Sequence, residues 1–272
     1  MVFSTGSILH TRTCHDADFD LTLIKRKANC DKAAREHESL MRHEDRDQIK
    51  KLSLFRDMPE AAIDRLLAGC YLQRFPAHVV LISEGEPADF LHIVIEGGVE
   101  LFSTWRDRET TMSIARPVST FILAAVIKDA PYLMSARTLQ PSSILMIPSG
   151  NIRAMMAEDR VFGAAMVNEL SASFREVVKS QKNVKLRSGV ERLANYLLQL
   201  SETHDRCAEI ELPIEKKTLA SLLGMSPENL SRAFASLKAY GVVVNGGSVT
   251  LTQPGDLERL AKPNNLIDDP QS

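Results

Sequence analysis

Residues 216–238 read Lys216-Lys-Thr-Leu-Ala-Ser-Leu-Leu-Gly-Met-Ser-Pro-Glu-Asn-Leu-Ser-Arg-Ala-Phe-Ala-Ser-Leu-Lys238. Leu219 and Leu223 stand four apart and fall on one side of a short helix. Gly224 follows them, and a glycine just past a helix supplies the left-handed conformation that ends it. Ser226 and Pro227 then give a start signal. The hydroxyl can accept from first-turn amides, and the ring's fixed φ suits the first helical position. Leu230, Phe234 and Leu237 recur at i, i+4 and i+7 and predict the buried side of a second helix.

That pattern leaves Glu228, Ser231 and Arg232 together on the outer side of the second helix's first turns. In a helix-turn-helix this is where side chains meet base edges in the major groove. Arg can donate two bonds to guanine O6 and N7, Glu can accept from a cytosine amine, and Ser can serve base or phosphate. Lys216, Lys217 and Thr218, at the opening, are candidates for phosphate contacts. The plainer alternative is an exposed Glu228–Arg232 pair, which contributes only about 0.2–0.5 kcal/mol. Val242-Val-Val-Asn-Gly-Gly-Ser-Val-Thr-Leu251 comes next, two β-branched runs joined through a strong turn sequence, and predicts a hairpin. With a helix over Leu193–Leu200, residues 190–262 are expected to form a winged helix-turn-helix.

Upstream, residues 159–187 hold no proline and a single glycine, Gly163. Leu170, Val177 and Val184 repeat every seven residues, with Met166 and Ser173 on the adjacent seam. An amphipathic helix this long cannot bury its stripe locally, so a parallel copy is the expected cover. Residues 159–189 are therefore read as a dimerisation helix with Met166, Leu170, Ser173, Val177 and Val184 along its seam. The run Lys179, Lys182, Lys185, Arg187 and Arg192 reads as a solvated basic face. Between about 71 and 148, short Val, Ile and Phe runs alternate with Gly and Pro turns, the signature of an antiparallel roll or barrel. Helical spacing at Ile49, Leu52, Ile63, Leu66 and Leu67 leads into it, giving a sensor domain over 46–158. Residues 1–45 read as a polar extension with Met41 a possible internal start, and 263–272 as a tail. The fold class expected is α+β.

Composition narrows the function. The 272 residues suffice for two domains and a connector, and 33 Lys plus Arg against 35 Asp plus Glu exclude a polybasic coat while permitting a local basic face. Cys14, Cys30, Cys70 and Cys207 form no CxxC pair, as expected of reduced thiols in a cytoplasmic protein. Cys14, His15, Cys30 and His37 fit no tight metal-ligand spacing. The longest apolar run, Phe121 to Ile127, is about a third of a bilayer crossing, so no membrane partner is expected. A Gly-rich phosphate loop, an HExxH and a nucleophile elbow are all missing, and Glu84, Glu86 and Asp89 read as solvated loop charges, so no enzyme is expected and no catalytic or metal residue is assigned.

Taken in order, Gly85-Glu-Pro-Ala-Asp-Phe-Leu-His-Ile-Val-Ile-Glu-Gly-Gly-Val-Glu-Leu101, the long helix, Glu191-Arg-Leu-Ala-Asn-Tyr-Leu-Leu198 and Glu228-x-x-Ser231-Arg232 resemble the Crp/Fnr superfamily of bacterial transcription regulators over residues 46–262. Within it the chain looks most like the FtrB-like branch. The resemblance implies a cyclic-nucleotide-binding-like roll, a homodimer, RNA polymerase as a partner and double-stranded DNA as the target. The reader triad is similar to that of Fnr-type members, which implies a TTGAT-N4-ATCAA palindrome.

Cyclic-nucleotide-binding members hold phosphate with a Gly-Glu pair and an Arg-Ser pair. Here those positions read Leu123-Ala124 and Met134-Ser135, and the purine-facing helix positions read Val177-Val178. Burying a phosphate there without a cation would cost several kcal/mol, so cyclic AMP is not expected. Arg137, two residues past Ser135, is the one nearby substitute. Leu101, Ser103, Leu123, Ala124, Met134, Ser135, Val177 and Val178 are then expected to line an apolar effector pocket. Cys14 and Cys30 are too few to ligate an iron–sulfur cluster. Haem, held by His78, His92 or Cys70, is the cofactor alternative, and a regulatory module without DNA binding is the functional one.

Overall fold

The computed structural model describes residues 49–50, 53–55, 58–203 and 207–269. The candidate ligands Cys14, His15, Cys30 and His37 and the alternative start Met41 lie outside them. After a short turn at Ser53–Phe55 come α1 (Glu60–Leu67) and the roll strands β1 (Tyr71–Phe75), β2 (Val80–Ile82), β3 (Phe90–Glu96), β4 (Val99–Trp105), β5 (Arg108–Ala115) and β6 (Ser119–Phe121). Helix α2 (Leu123–Lys128), β7 (Ser135–Thr138) and β8 (Ser142–Pro148) complete the roll. Two antiparallel four-stranded sheets result, in the orders β1-β8-β3-β6 and β2-β7-β4-β5. Leu91, Ile93, Val99, Ala136, Ile144 and Ile147 are buried among these strands. The β3–β4 turn needs Gly97: at φ 91° it lies so close to β8 that a Cβ would stand 2.6 Å from the Pro141 carbonyl.

Helix α3 (Ser149–Glu158) leads into α4 (Arg160–Leu186). Asp159 caps α4, its Oδ1 accepting from the amides of Val161 at 2.8 Å and Phe162 at 3.0 Å. Arg187 breaks the helix in an extended conformation, and α5 (Gly189–Thr203) begins at once. Ser188 and Glu191 form a capping box there: the Ser188 amide and hydroxyl each donate to Glu191 Oε2 at 2.8 Å. These bonds, then the Lys262 and Arg187 charges, hold the Glu191 carboxyl below its ordinary value.

The C-terminal body contains β9 (Glu209–Glu211), α6 (Lys216–Leu222), α7 (Pro227–Leu237), β10 (Val242–Asn245), β11 (Ser248–Leu251) and α8 (Pro254–Ala261). Leu193, Leu197, Leu219, Leu230, Leu237 and Leu257 share its core. The predicted hairpin is β10–β11, and β9 adds a third strand against β11. The tail differs from expectation. Residues 265–268 form a further turn of helix, α9 (Asn265–Asp268), which packs on α4.

Candidate DNA-reading face and sensor region

Helix α7 sits on the C-terminal core through Leu230, Ala233, Phe234 and Leu237, all buried. Its start is fixed by Ser226, whose hydroxyl accepts from the Asn229 amide at 3.3 Å, and by Pro227 in the first turn. Gly224, at φ 63°, makes the preceding turn. Glu228, Ser231 and Arg232 are all exposed on the outer side. The Ser226 hydroxyl, the backbone amide and then the Arg232 charge keep the Glu228 carboxyl below its ordinary value, so it remains an acceptor. Sequence reasoning missed Asn229. Its Oδ1 accepts from Arg232 Nη2 at 2.7 Å, so the guanidinium is held by the amide three residues earlier. The i, i+3 spacing was the available signal.

Lys216 and Lys217 are exposed and Thr218 is half-buried at the start of α6. The Lys216 ammonium lies 6.0 Å from the centre of the Phe234 ring. The far end of the same helix touches the roll, where Ser221 Oγ accepts from the Thr111 amide at 2.7 Å. A cleft of about 1950 Å³ opens beside this contact, with Trp105, Asp107 and Glu109 on the roll side and Lys216, Lys217 and Asn229 on the other.

Exposed apolar side chains stand at both ends of α4, Val161 and Leu186, and along its middle at Val167, Phe174, Val177, Val178 and Val184, with Leu170 half-buried and Ser173 exposed among the latter. Met166 corrects the predicted seam. It is fully buried within the protomer, where α3 and the turn at Ser53–Phe55 pack on α4. Val167 and Phe174 continue the free stripe in its place.

Comparison with known families divides the chain where the fold does. A cyclic nucleotide-binding domain model matches residues 72–159, and a Crp-like helix-turn-helix domain model matches residues 191–260. The chain belongs to the Crp/Fnr family of transcription regulators. A CRP-like cAMP-activated global transcriptional regulator of Mycobacterium tuberculosis is 24% identical over 79% of this chain and 97% of its own length. A candidate cAMP-binding regulatory protein of Silicibacter pomeroyi DSS-3 is 28% identical, with a TM-score of 0.54 over 80% of this chain and 98% of that one. FixK2 from Bradyrhizobium japonicum shares the fold at 18% identity, with a TM-score of 0.62 over 72% of this chain and 98% of its own. Among the described residues, no helix of this Crp/Fnr regulator is long and apolar enough to cross a membrane.

The residues expected to line a pocket in this Crp/Fnr regulator range from buried to exposed. Leu101 and Leu123 are buried in the core, Met134 is half-buried, and Ala124, Val177 and Val178 are exposed. Ser103 and Ser135 meet at Glu84: Ser103 Oγ donates to the Glu84 carboxylate, and the Glu84 amide donates to Ser135 Oγ at 2.9 Å. Arg137 is already engaged. Its Nε donates to Glu100 Oε2 at 2.8 Å, its two terminal nitrogens reach Glu109, and its guanidinium lies 4.4 Å from the centre of the Phe102 ring. Burial opposes this charge, yet the bonds the guanidinium donates to Glu109 and Glu100 outweigh burial and raise the Arg137 pKa further.

The haem candidates fit poorly. His92 is 4% exposed, stacked on Phe121 at 5.1 Å and edge-on to Tyr132. Burial lowers its pKa to about 4, keeping it neutral, but an axial ligand would have to displace those rings. The Cys70 thiol donates to the Leu66 carbonyl at 3.2 Å. His78 is exposed, at φ 64°. No group of three or more His, Cys, Asp or Glu that could hold a metal occurs among the described residues.

Proposed function

We propose that the chain acts as a homodimer, joined along α4, that reads a two-fold DNA site through Glu228, Ser231 and Arg232, with Lys216, Lys217 and Thr218 on the phosphates, and that it does so without cyclic AMP. The observation that carries the reading half is the exposure of all three side chains on one side of a capped helix whose other side is buried. A two-fold site matches a two-fold protein, with half-sites about one helical turn apart. The TTGAT-N4-ATCAA palindrome implied by resemblance is the duplex to try.

The cAMP-independent half is supported by chemistry at the positions where nucleotide-binding relatives grip phosphate. Leu123, Ala124 and Met134 offer no charge there, and Arg137, two residues past Ser135, is committed to Glu100 and Glu109. Releasing Arg137 would leave Glu100, itself 2% exposed, without its ion partner. The activation of the mycobacterial relative by cAMP is thus not extended to this chain.

The test is fluorescence anisotropy with the palindromic duplex and a scrambled one, each with and without cAMP. Preference for the palindrome, unchanged by cAMP, is expected. Equal affinity for the two duplexes overturns the reading half, and tighter palindrome binding with cAMP overturns the other.

A further inference from the structure

The segment after α8 carries bonds that a solvated tail would not form. The chain leaves α8 through Lys262, at φ 47°, and Asn264 caps the next turn, its Oδ1 accepting from the Leu266 amide at 2.9 Å. Residues 265–269 then lie along the C-terminal half of α4. Arg187 Nη1 and Nη2 donate to Asp268 Oδ1 and Oδ2 at 2.7 and 2.5 Å, a bidentate pair whose side chains are only 7% and 13% exposed. Lys179, also buried, donates to the Asp269 carbonyl at 2.8 Å. Lys182 donates to the Leu266 carbonyl at 3.3 Å. From α5, Gln199 Nε2 donates to the Asp268 carbonyl at 3.1 Å.

These bonds fall on both sides of one joint. Lys179 and Lys182 belong to α4, Arg187 is the extended residue where α4 ends, and Gln199 belongs to α5 and hence to the DNA-reading body. The segment itself hangs from α8, whose Leu257 and Ala261 lie in that body's core. A single turn of chain thus returns from the reading body, crosses the α4–α5 joint and grips the long helix. Opposite it, Arg192 closes the joint from inside, donating to the carbonyls of Val184 and Arg187 at 3.0 Å each and of Gly224 at 3.3 Å. At 100° per residue, Lys179, Lys182 and Asn183 lie on the side of α4 away from Val177 and Val184, so the segment leaves the apolar stripe uncovered.

We propose that residues 264–269 are a strap that fixes the orientation of the DNA-reading body on the long helix, with Arg187–Asp268 as its lock. The carboxyl of Asp268 is suited to the role. Burial works against its charge, but the bonds from Arg187 and the Asn264 amide outweigh burial and hold the group ionised below its usual range. Rotation of the reading body about Arg187–Ser188 separates Asp268 from Arg187 and Lys182 from the Leu266 carbonyl together. The strap therefore makes reorientation an all-or-none event rather than a soft bend. The sequence reading of Lys179, Lys182 and Arg187 as a solvated face is corrected accordingly, because each donates to the strap.

Hydrogen exchange of the full-length protein, followed by mass spectrometry, tests this independently of DNA. Asp268→Asn, and separately removal of residues 263–272, are expected to accelerate exchange over residues 183–192 by about tenfold or more, the scale of one lost charge-assisted bond at a closed joint. Exchange in β3 and α7 should stay at parental rates, which shows that both bodies remain folded. The exchanged pair, Arg187→Asp with Asp268→Arg, is expected to restore protection at 183–192. Parental exchange over 183–192 in both the Asn variant and the truncated chain overturns the strap.

Discussion

Phe174 is the most exposed large side chain on the stripe proposed to join two copies: it is 67% exposed in the protomer, next to Val177 at 59% and Val167 at 57%. Covering a whole phenyl side chain gains about 1.5–3 kcal/mol, so covering two-thirds of it gains about 1–2 kcal/mol. A two-fold interface uses each residue twice, which brings Phe174 to about 2–4 kcal/mol per dimer. Phe174→Asp forfeits that gain and also places two carboxylates in an apolar seam. The dimer dissociation constant should rise by about thirty- to a thousandfold. Sedimentation velocity over a dilution series measures it, with Asn168→Asp, exposed and on the far side of α4, as the control expected to behave like the parent. If Phe174→Asp and the parent dissociate at the same concentration, α4 is not the seam.

Four further outcomes follow from the geometry. Arg232→Ala should lose about 1–3 kcal/mol of palindrome binding and relax preference at one base pair; an unchanged ratio of palindromic to scrambled binding removes Arg232 from the reader. Lys217→Ala should weaken all duplexes alike and reduce the slope of log affinity against log salt by about one; an unchanged slope means Lys217 touches no phosphate. Gly241 has φ 79°, and a Cβ there would stand 2.6 Å from the Gln253 amide nitrogen, so Gly241→Ala should cost about 2 kcal/mol or more in denaturant unfolding. His92 titrates near 4 when folded against 6.5 ordinarily. The unfolded chain thus binds its proton first, and up to about 3 kcal/mol of stability, complete above the ordinary value, is lost as pH falls toward 4. His92→Phe should flatten that part of the stability–pH curve, and an unaltered curve assigns the acid loss to other groups.

The elements readable in the sequence were those whose physics is local. Gly224, Ser226, Pro227 and the Leu230–Phe234–Leu237 spacing determine α7 from neighbouring residues alone. Val242 to Leu251 determines its hairpin through Asn245-Gly246-Gly247 in the same way. What could not be read depends on contacts far along the chain. Strand β9 has only Ile210 as an apolar residue, so its pairing with β11 leaves no periodic trace. Met166 shares a helix side with Ser173 and Val184, and only the packing of α3 and the Ser53–Phe55 turn removes it from the free surface. Arg137 looked available for an anion because Glu100 and Glu109, 37 and 28 residues away, claim it only once β4, β5 and β7 lie together. The strap is a single turn, too short for helical periodicity to mark it.

The reading body is held at several places that any reorientation must disturb, among them Ser221 on the Thr111 amide of β5, Arg192 across the joint, and Asp268 on Arg187. Neutral hydrogen bonds contribute about 1 kcal/mol each and charge-assisted ones about 1.5–3 kcal/mol. Together they bias the equilibrium toward this arrangement by a few kcal/mol, a gap within the range of ligand or DNA binding. A signal arriving in the roll can shift this equilibrium only by its difference in affinity for the two arrangements. The direct route from roll to reader passes through β5, because Thr111 donates at once to Ser221 through its backbone and, through its hydroxyl at 2.6 Å, to Glu100 of the Arg137 network. Thr111 thus links the Glu100–Arg137 network to α6, the helix that carries Lys216 and Lys217, while Thr120 of β6 reaches α4 directly, donating to Glu169 Oε1 at 2.8 Å.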